Sequence, residues 1–459
     1  MTLNAANHTM MLEGSGDVTH IGNPDFILHV KNSHRIITAS NESWQPLGVH
    51  SSSIAAQITV ATAKSYLDDL VANGINAISC MVPQSLFTDN TPTWNNEDGN
   101  PPFDSVVPST SSLDFTDPNS AYWANVDEII NYAATKGIMC GLACCFLGNS
   151  FGSEGWATHI SDNGTTRMQA YGEWLGNRYK DYPNIFWIIG GDEHPDYGPD
   201  LTSHMDSVAN GIKTYDKRHL MTAHGKDNNS SLDDYPGKSW LDINLNYSLP
   251  WSSICAQIRG DYQETSPLPV VQGETTFGNQ DGQTDLGVMR SVYQGILHGG
   301  FGHFAGMAPL WGFGCSAMDV VKNDGTYTWQ QTVNPGHYGF QYLQYARRLQ
   351  VARDLPELTP DYAGTFVTAG KGTEGSSYSP VVADSTQLVA FCNQGADLTV
   401  DLSQFDGSLT ARWFDPTDGS VTTDGGSPYT NSGSNQFTTP DSGDWVLLLD
   451  LVSLGLGDP

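Results

Sequence analysis

The chain has 459 residues, with 50 acidic against 20 basic side chains and a formal charge of −30. That length exceeds one ordinary core and fits a barrel-sized unit with a second unit of common domain size behind it; 39% hydrophobic residues, with 12 Trp and 19 Tyr, exclude a disordered chain. The acidic field repels phosphate, so nucleic acid and anionic membrane surfaces are poor partners. No apolar run reaches the length of a membrane span. The opening stretch, Met1 to Asp17, lacks a basic region followed by an apolar core, so no signal peptide is visible. An extracellular or virion-associated location is still favoured, with a leader removed or another export route such as release inside a virus particle. The seven cysteines are scattered and contain no C-x-x-C pair, which reads as buried free thiols.

Short apolar runs alternate with longer amphipathic stretches, the pattern of repeated βα units. After a flanking strand at Phe26 to Val30, Arg35 to Ser40 reads as the first barrel strand, followed by a helix over Ala61 to Asn73. Ile75 to Val82 is the second strand; a polar loop from Pro83 to Asn119 precedes its helix, Ala121 to Thr135. Gly137 to Cys145 is the third strand, Thr166 to Tyr182 a helix, and Asn184 to Gly190 the fourth strand. The fifth, sixth and seventh strands fall at His219 to Ala223, Leu241 to Leu245 and Pro269 to Gln272. The eighth starts at Gly302 and reaches Trp311, and a helix over His337 to Val351 closes the ring. Eight such units predict a (β/α)₈ barrel over residues 1–354, with its active site at the C-terminal ends of the strands. From residue 355 to 459 the chain turns rich in Gly, Ser and Thr. Short strands at Pro380 to Val382, Gln387 to Phe391, Leu398 to Leu402, Leu409 to Phe414 and Trp445 to Leu449 predict a small all-β sandwich, with loop-like sequence at Asn431 to Asn435.

Two of the apolar strands end in a carboxylate. Strand four runs Trp187-Ile-Ile-Gly-Gly-Asp192-Glu193, where two glycines permit a tight exit. Strand seven runs Val270-Val-Gln-Gly-Glu274. Ends of strands four and seven face each other across an eight-strand mouth. Glycosidic hydrolysis needs such a pair, one acid to protonate the leaving oxygen and one carboxylate to attack the anomeric carbon or activate water.

At these residues the chain resembles the apiosidase-like glycoside hydrolases, glycoside hydrolase family 140 and relatives. Further matches are Ser43-Trp44, His224-Gly225 with Asn229-Ser-Ser231, Trp240-Leu-Asp-Ile-Asn244, and Gly299-Gly-Phe-Gly-His303 leading to Trp311. Trp413-Phe-Asp-Pro416 and Gly443-Asp-Trp445 resemble the β domain, named for collagen binding, that follows these barrels. The resemblance implies Asp192 as acid/base, Glu274 as nucleophile, and retention of configuration through a covalent glycosyl-enzyme. It also implies a carbohydrate substrate and no cofactor. Departures fall on loops: Asn41-Glu42-Ser43 replaces an acidic residue, Phe304-Ala305 replaces a Tyr after the eighth-strand Gly-His, and Thr-Thr-Phe-Gly278 follows Glu274. They bear on which sugar is taken more than on the chemistry.

Trp44, Glu193, His224, Asn246, Tyr247, His303 and Trp311 are the expected substrate contacts, the aromatic ones by stacking on apolar sugar faces. Plainer readings stand beside these. Asp192 could cap the helix that follows, Glu193 is its immediate neighbour and rival, and Trp44 or Trp311 could be core. Arg290 reads as a structural ion-pair partner. Asp192, Glu193, His194 and Asp196 invite a metal reading, but no histidine pair stands near Ile36 to Trp44, so no metal is expected. The rival function is a non-catalytic glycan-binding or structural virion protein, such as a phage tail component, that kept the barrel.

Overall fold

The structure, a computed structural model, describes residues 26–278, 280, 283–316, 328–334, 338–375 and 377–459. The opening Met1 to Asp17 and the expected helix start at His337 lie outside those residues. A hairpin of β1 (His29–Asn32) and β2 (Arg35–Ile37) comes first. Eight barrel strands follow: β3 (Leu47–His50), β4 (Ala77–Met81), β5 (Met139–Ala143), β6 (Ile185–Gly190), β7 (Met221–His224), β8 (Asn244–Ser248), β9 (Val270–Thr275) and β10 (His303–Ala305). They lie in the order β7-β6-β5-β4-β3-β10-β9-β8, each pair parallel. Parallel strands covered on both faces tend to near-continuous apolar runs, and β6, Ile-Phe-Trp-Ile-Ile-Gly, is buried at every residue.

The ring closes between β7 and β8 through a side-chain seam. Met221 O accepts from Asp242 N at 2.8 Å and Ile243 N at 3.2 Å, and Thr222 Oγ1 donates to Ile243 O at 2.9 Å. Ser231 Oγ donates to Ala223 O at 2.5 Å and accepts from Leu245 N at 2.9 Å. This hydroxyl substitutes for ladder bonds that the two strands do not make directly.

Around the ring run α1 (Val60–Ala72), α2 (Ser120–Thr135), α3 (Ala157–Tyr179), α4 (Thr202–Tyr215), α5 (Ser231–Asp234), α6 (Ile254–Tyr262), α7 (Asp285–Ile296), α8 (Ala308–Gly312), α9 (Trp329–Thr332) and α10 (Tyr338–Ala352). Thr59, Asn119 and Thr284 cap α1, α2 and α7 with side-chain oxygens that accept orphan backbone N–H groups. Helix α3 begins earlier than expected because a first turn is joined to it across a kink at Gly164.

Two expectations need correction. Arg35 to Ser40 is not a barrel strand: Arg35–Ile37 pairs with β1, and the first barrel strand is β3. An apolar run with the right period is shared by both, and only the tertiary packing separates them. Ile36, Leu28 and Trp44 plug the end of the barrel where the strands begin, against Met139, Phe186 and Phe301. The eighth strand is also shorter than expected, since the segment turns into α8 before Trp311.

Behind the barrel, β11 (Thr359–Pro360), β12 (Val367–Ala369), β13 (Val381–Ala383), β14 (Gln387–Cys392), β15 (Leu398–Asp401), β16 (Leu409–Phe414), β17 (Val421–Thr423), β18 (Ser434–Phe437) and β19 (Trp445–Leu451) form an all-β domain. Its antiparallel sheets run β11-β13-β14-β19-β16-β17 and β12-β15-β18. Strand alternation divides the core. Leu388, Ala390, Leu447 and Leu449 face the smaller sheet, while Val389, Phe391, Val446 and Leu448 join the barrel's core, where Phe391 stacks on Tyr293. Both faces of β19 are therefore buried. The expected loop at Asn431 to Asn435 runs into β18. Arg290 pairs with Asp444 at 2.8 Å, the structural role expected of it. All seven cysteines are buried and free.

Candidate active site

The exit of β6 bends through three successive residues with positive φ: Gly190 at 75°, Gly191 at 150° and Asp192 at 60°. A Cβ on Gly190 would lie 2.2 Å from Tyr235 Oη, and one on Gly191 would lie 2.1 Å from Phe146. Both positions thus require glycine for space as well as for conformation. Asp is among the few side chains that tolerate the left-handed region, and it stands in the pocket lining rather than at a helix start, since α4 begins ten residues later at Thr202.

The pocket at the C-terminal end of the barrel is lined by Asp192, His224 and Glu274 with His50, Phe146, Phe304 and Trp311 at its sides. His224 stands between the two carboxylates. Its Nε2 is 3.0 Å from Glu274 Oε2, and its Nδ1 is 3.8 Å from Asp192 Oδ1 and 3.4 Å from the Asp192 amide. One ligand atom from each of the three side chains falls within 4.8 Å of the others. Among the described residues this is the group spaced to hold a cation.

Burial pushes the Glu274 carboxyl up, but the hydrogen bond and charge of His224 outweigh it, so the net shift is downward. His224 shows the converse. Burial pulls it down, and the hydrogen bond and charge of Glu274, helped by Asp192 and Asp234, carry it above its ordinary value. The ring of Tyr247 stacks on His224, with centroids 5.0 Å apart. Burial holds His50 below its ordinary value despite Glu274. Its Nε2 lies 2.8 Å from Gly273 O, a geometry in which the neutral ring donates to that carbonyl.

Over residues 32–357 the sequence matches the family model described as "Apiosidase-like, catalytic domain". The chain belongs to the apiosidase-like family. It is a glycoside hydrolase, and its substrate is a carbohydrate. Residues 366–450 match a second model, described as "Putative collagen-binding domain of a collagenase". Among solved structures, a glycoside hydrolase family 5 protein from Bacteroides vulgatus ATCC 8482 is 20% identical with a TM-score of 0.78, covering 93% of each chain. Another, described as a glycoside hydrolase, is 22% identical with a TM-score of 0.78, covering 93% of this chain and 97% of its own. At these identities the likeness is one of fold. No curated protein matches. The family favours an enzyme over the non-catalytic reading.

The apiosidase-like barrel brings together only part of the expected contact set. Asp192, Glu274, His224 and Trp311 line the pocket, and Tyr247 adjoins it through His224. Trp311 meets Phe87 edge-on at 4.1 Å. Trp44 is a correction: it precedes β3, so it sits at the opposite end of the barrel, packed on Phe186 and Phe301. His303 opens β10 and points outward to α7, where Ser291 Oγ is 3.4 Å away and burial depresses it to about 3. Asn246 also points outward, donating to Asp261 on α6 at 2.7 Å.

Glu193 is buried and turned from the pocket. It accepts from Ser150 N at 3.0 Å, His194 N at 3.0 Å and Lys226 Nζ at 3.3 Å, and so anchors the loop that carries Asp192. Asn229 of the family-like His-Gly…Asn-Ser-Ser run holds Asp234 at 2.6 Å. Asp234 itself packs where any Cβ on Gly225 would stand, 1.6 Å from its Oδ2. His50 and Phe146 are pocket residues that sequence reasoning missed, and Phe304, expected on a loop, lines the pocket from β10. The signal for His50 was an apolar run, Leu47-Gly-Val, ending in a polar residue, but the first strand had been read elsewhere.

Proposed function

We propose that this glycoside hydrolase acts with retention, Asp192 serving as acid/base and Glu274 as nucleophile. The observation that carries the reading is the separation: carboxylate oxygens of the two residues come within 4.8 Å. Retaining enzymes hold their carboxyl groups about 5–5.5 Å apart, whereas inverting ones leave about 6.5–9.5 Å for a water. The electrostatics support the same division of labour. A carboxyl held down chiefly by His224 is ionised and ready to attack, and protonation of the leaving group falls to Asp192.

In this mechanism Glu274 attacks the anomeric carbon as Asp192 protonates the departing oxygen, forming a glycosyl ester on Glu274. Asp192, now a carboxylate, takes a proton from water, which attacks the same carbon and releases Glu274. His224 holds Glu274 through Nε2, while its Nδ1 accepts from the Asp192 amide and so ties the two ends of the site together. Trp311, Phe146 and Phe304 line the pocket and offer aromatic surface to the sugar, with Tyr247 beside them, and the substrate is an oligosaccharide or polysaccharide.

The test uses a panel of plant, algal and bacterial polysaccharides. Once the parent releases sugar from one of them, Asp192→Asn and Glu274→Gln are expected to lose about 10²–10⁴-fold in turnover with unfolding midpoints unchanged. NMR of the first-formed anomer reads retention directly. Parental rates in both variants, or an inverted first product, would sink the assignment. Binding without release at any pH would favour the glycan-binding alternative. The same trio is spaced for a cation, and turnover abolished by a chelator and restored by a divalent ion would favour a metal-dependent reading.

A further inference from the structure

Glu274 faces the pocket only because β9 carries one residue more than its neighbour. Strands β8 and β9 pair Leu245 with Val271 and Asn246 with Gln272, but the next pair is Tyr247 with Glu274. Gly273 is the extra residue, a bulge. Side chains alternate along a strand, so with Val271 and Gly273 both on the pocket side, residue 274 would point outward in a regular strand. The bulge restores the inward direction and sets Glu274 opposite Tyr247. Only glycine fits at the extra position, because a Cβ there would lie 2.2 Å from Leu245 Cγ.

A bulge leaves backbone groups out of the ladder, and buried ones need partners. Here Gln272 supplies them. Its side chain is fully buried and points outward under α7, where Gly295 leaves room for it. From there Nε2 donates to Glu274 O at 2.6 Å and Asn246 O at 3.4 Å, one carbonyl on each strand. Its Oε1 lies 3.5 Å from Ser248 Oγ, which also bonds Asn246 and Gln257.

We infer that Gln272 is a positioning residue, whose amide clamps the β8–β9 bulge and thereby aims Glu274 at the substrate. This rests on the nucleophile role proposed for Glu274. Gln272→Met keeps the side-chain length and removes both donor bonds. On a glycoside that the parent hydrolyses, kcat is expected to fall about 10- to 100-fold, the cost of a misplaced reacting group, with KM within about twofold. The acid limb of kcat/KM should also move to higher pH, because a Glu274 turned from Tyr247 and His224 loses the contacts that hold its carboxyl down. A purely structural loss of stability would leave that limb in place.

Ser248→Ala disturbs the same polar cluster without touching the Glu274 carbonyl, and should turn over like the parent. Parental kcat in Gln272→Met, or an equal fall in Ser248→Ala, overturns the inference. If Gln272→Met is recovered only as aggregate, Gln272→Glu, of matching shape but without the donors when ionised, is read the same way. A parent inactive on every glycan would count against the role of Glu274 alone. A crystal structure of the variant then decides: a carboxylate turned away from His224 supports the inference, and one still against His224 Nε2 overturns it.

Discussion

His224 Nε2 lies 3.0 Å from Glu274 Oε2, and the two groups shift each other in opposite directions, the imidazole upward and the carboxyl downward. Each is thereby favoured in its charged form. The pair sits in the wall of the pocket, so its titration couples folding to the state of the site.

The sign of that coupling is fixed by the two directions. A histidine raised from 6.5 contributes stability that is full below 6.5 and is lost as pH rises through its folded value. A glutamate lowered from 4.5 contributes stability present above 4.5 and lost as pH falls through its folded value. His224→Asn should therefore lower the unfolding midpoint most between 4.5 and 6.5, where both contributions are full. The gap from the parent should narrow as the pH rises from 6.5 towards the histidine's folded value, above which that contribution is lost. Thermal melts across a pH series check this; a gap that widens with pH contradicts it.

Gly190→Ala should damage the site. The added methyl meets Tyr235 Oη and the His224 carbonyl, and an alanine must hold φ near +75°. The expected cost is about 1–3 kcal/mol, read by urea unfolding, together with a loss of turnover, since the loop carrying Asp192 starts at this residue.

Ser231→Ala tests the seam of the barrel. It removes the hydroxyl that joins Ala223 O to Leu245 N between β7 and β8. Leaving buried backbone groups unpaired costs about 1–3 kcal/mol. Amide hydrogen exchange should accelerate at Leu245 ahead of residues in β4 and β5.

Asp450 links the β domain to the barrel. Arg353, which follows α10, donates to it at 3.0 and 2.7 Å, both side chains almost fully buried, and Arg412 adds a third contact at 3.0 Å. Asp450→Ala strands buried cations and should cost about 3–5 kcal/mol in denaturant unfolding. Ending the chain after Asp354 uncovers Tyr293, which stacks on Phe391, and Tyr345, which packs on Gly419, and should cause aggregation, read by light scattering.

The periodicity of the sequence by itself determined most of the βα rhythm and the all-β tail, because apolar period and turn chemistry are local. It also marked Asp192 and Glu274, since a carboxylate ending an apolar strand has few places to be solvated except a barrel mouth. Tertiary structure alone decided which apolar run opens the barrel, and with it that Trp44 lies at the far end and His50 at the pocket. It alone decided which polar residues face inward. Asn246 and His303 share a strand with pocket residues but point to helices, and Glu274 faces inward only through a bulge. A single extra residue reverses every side chain beyond it, and no local pattern in Val270-Val-Gln-Gly-Glu announces where the partner strand will let it happen.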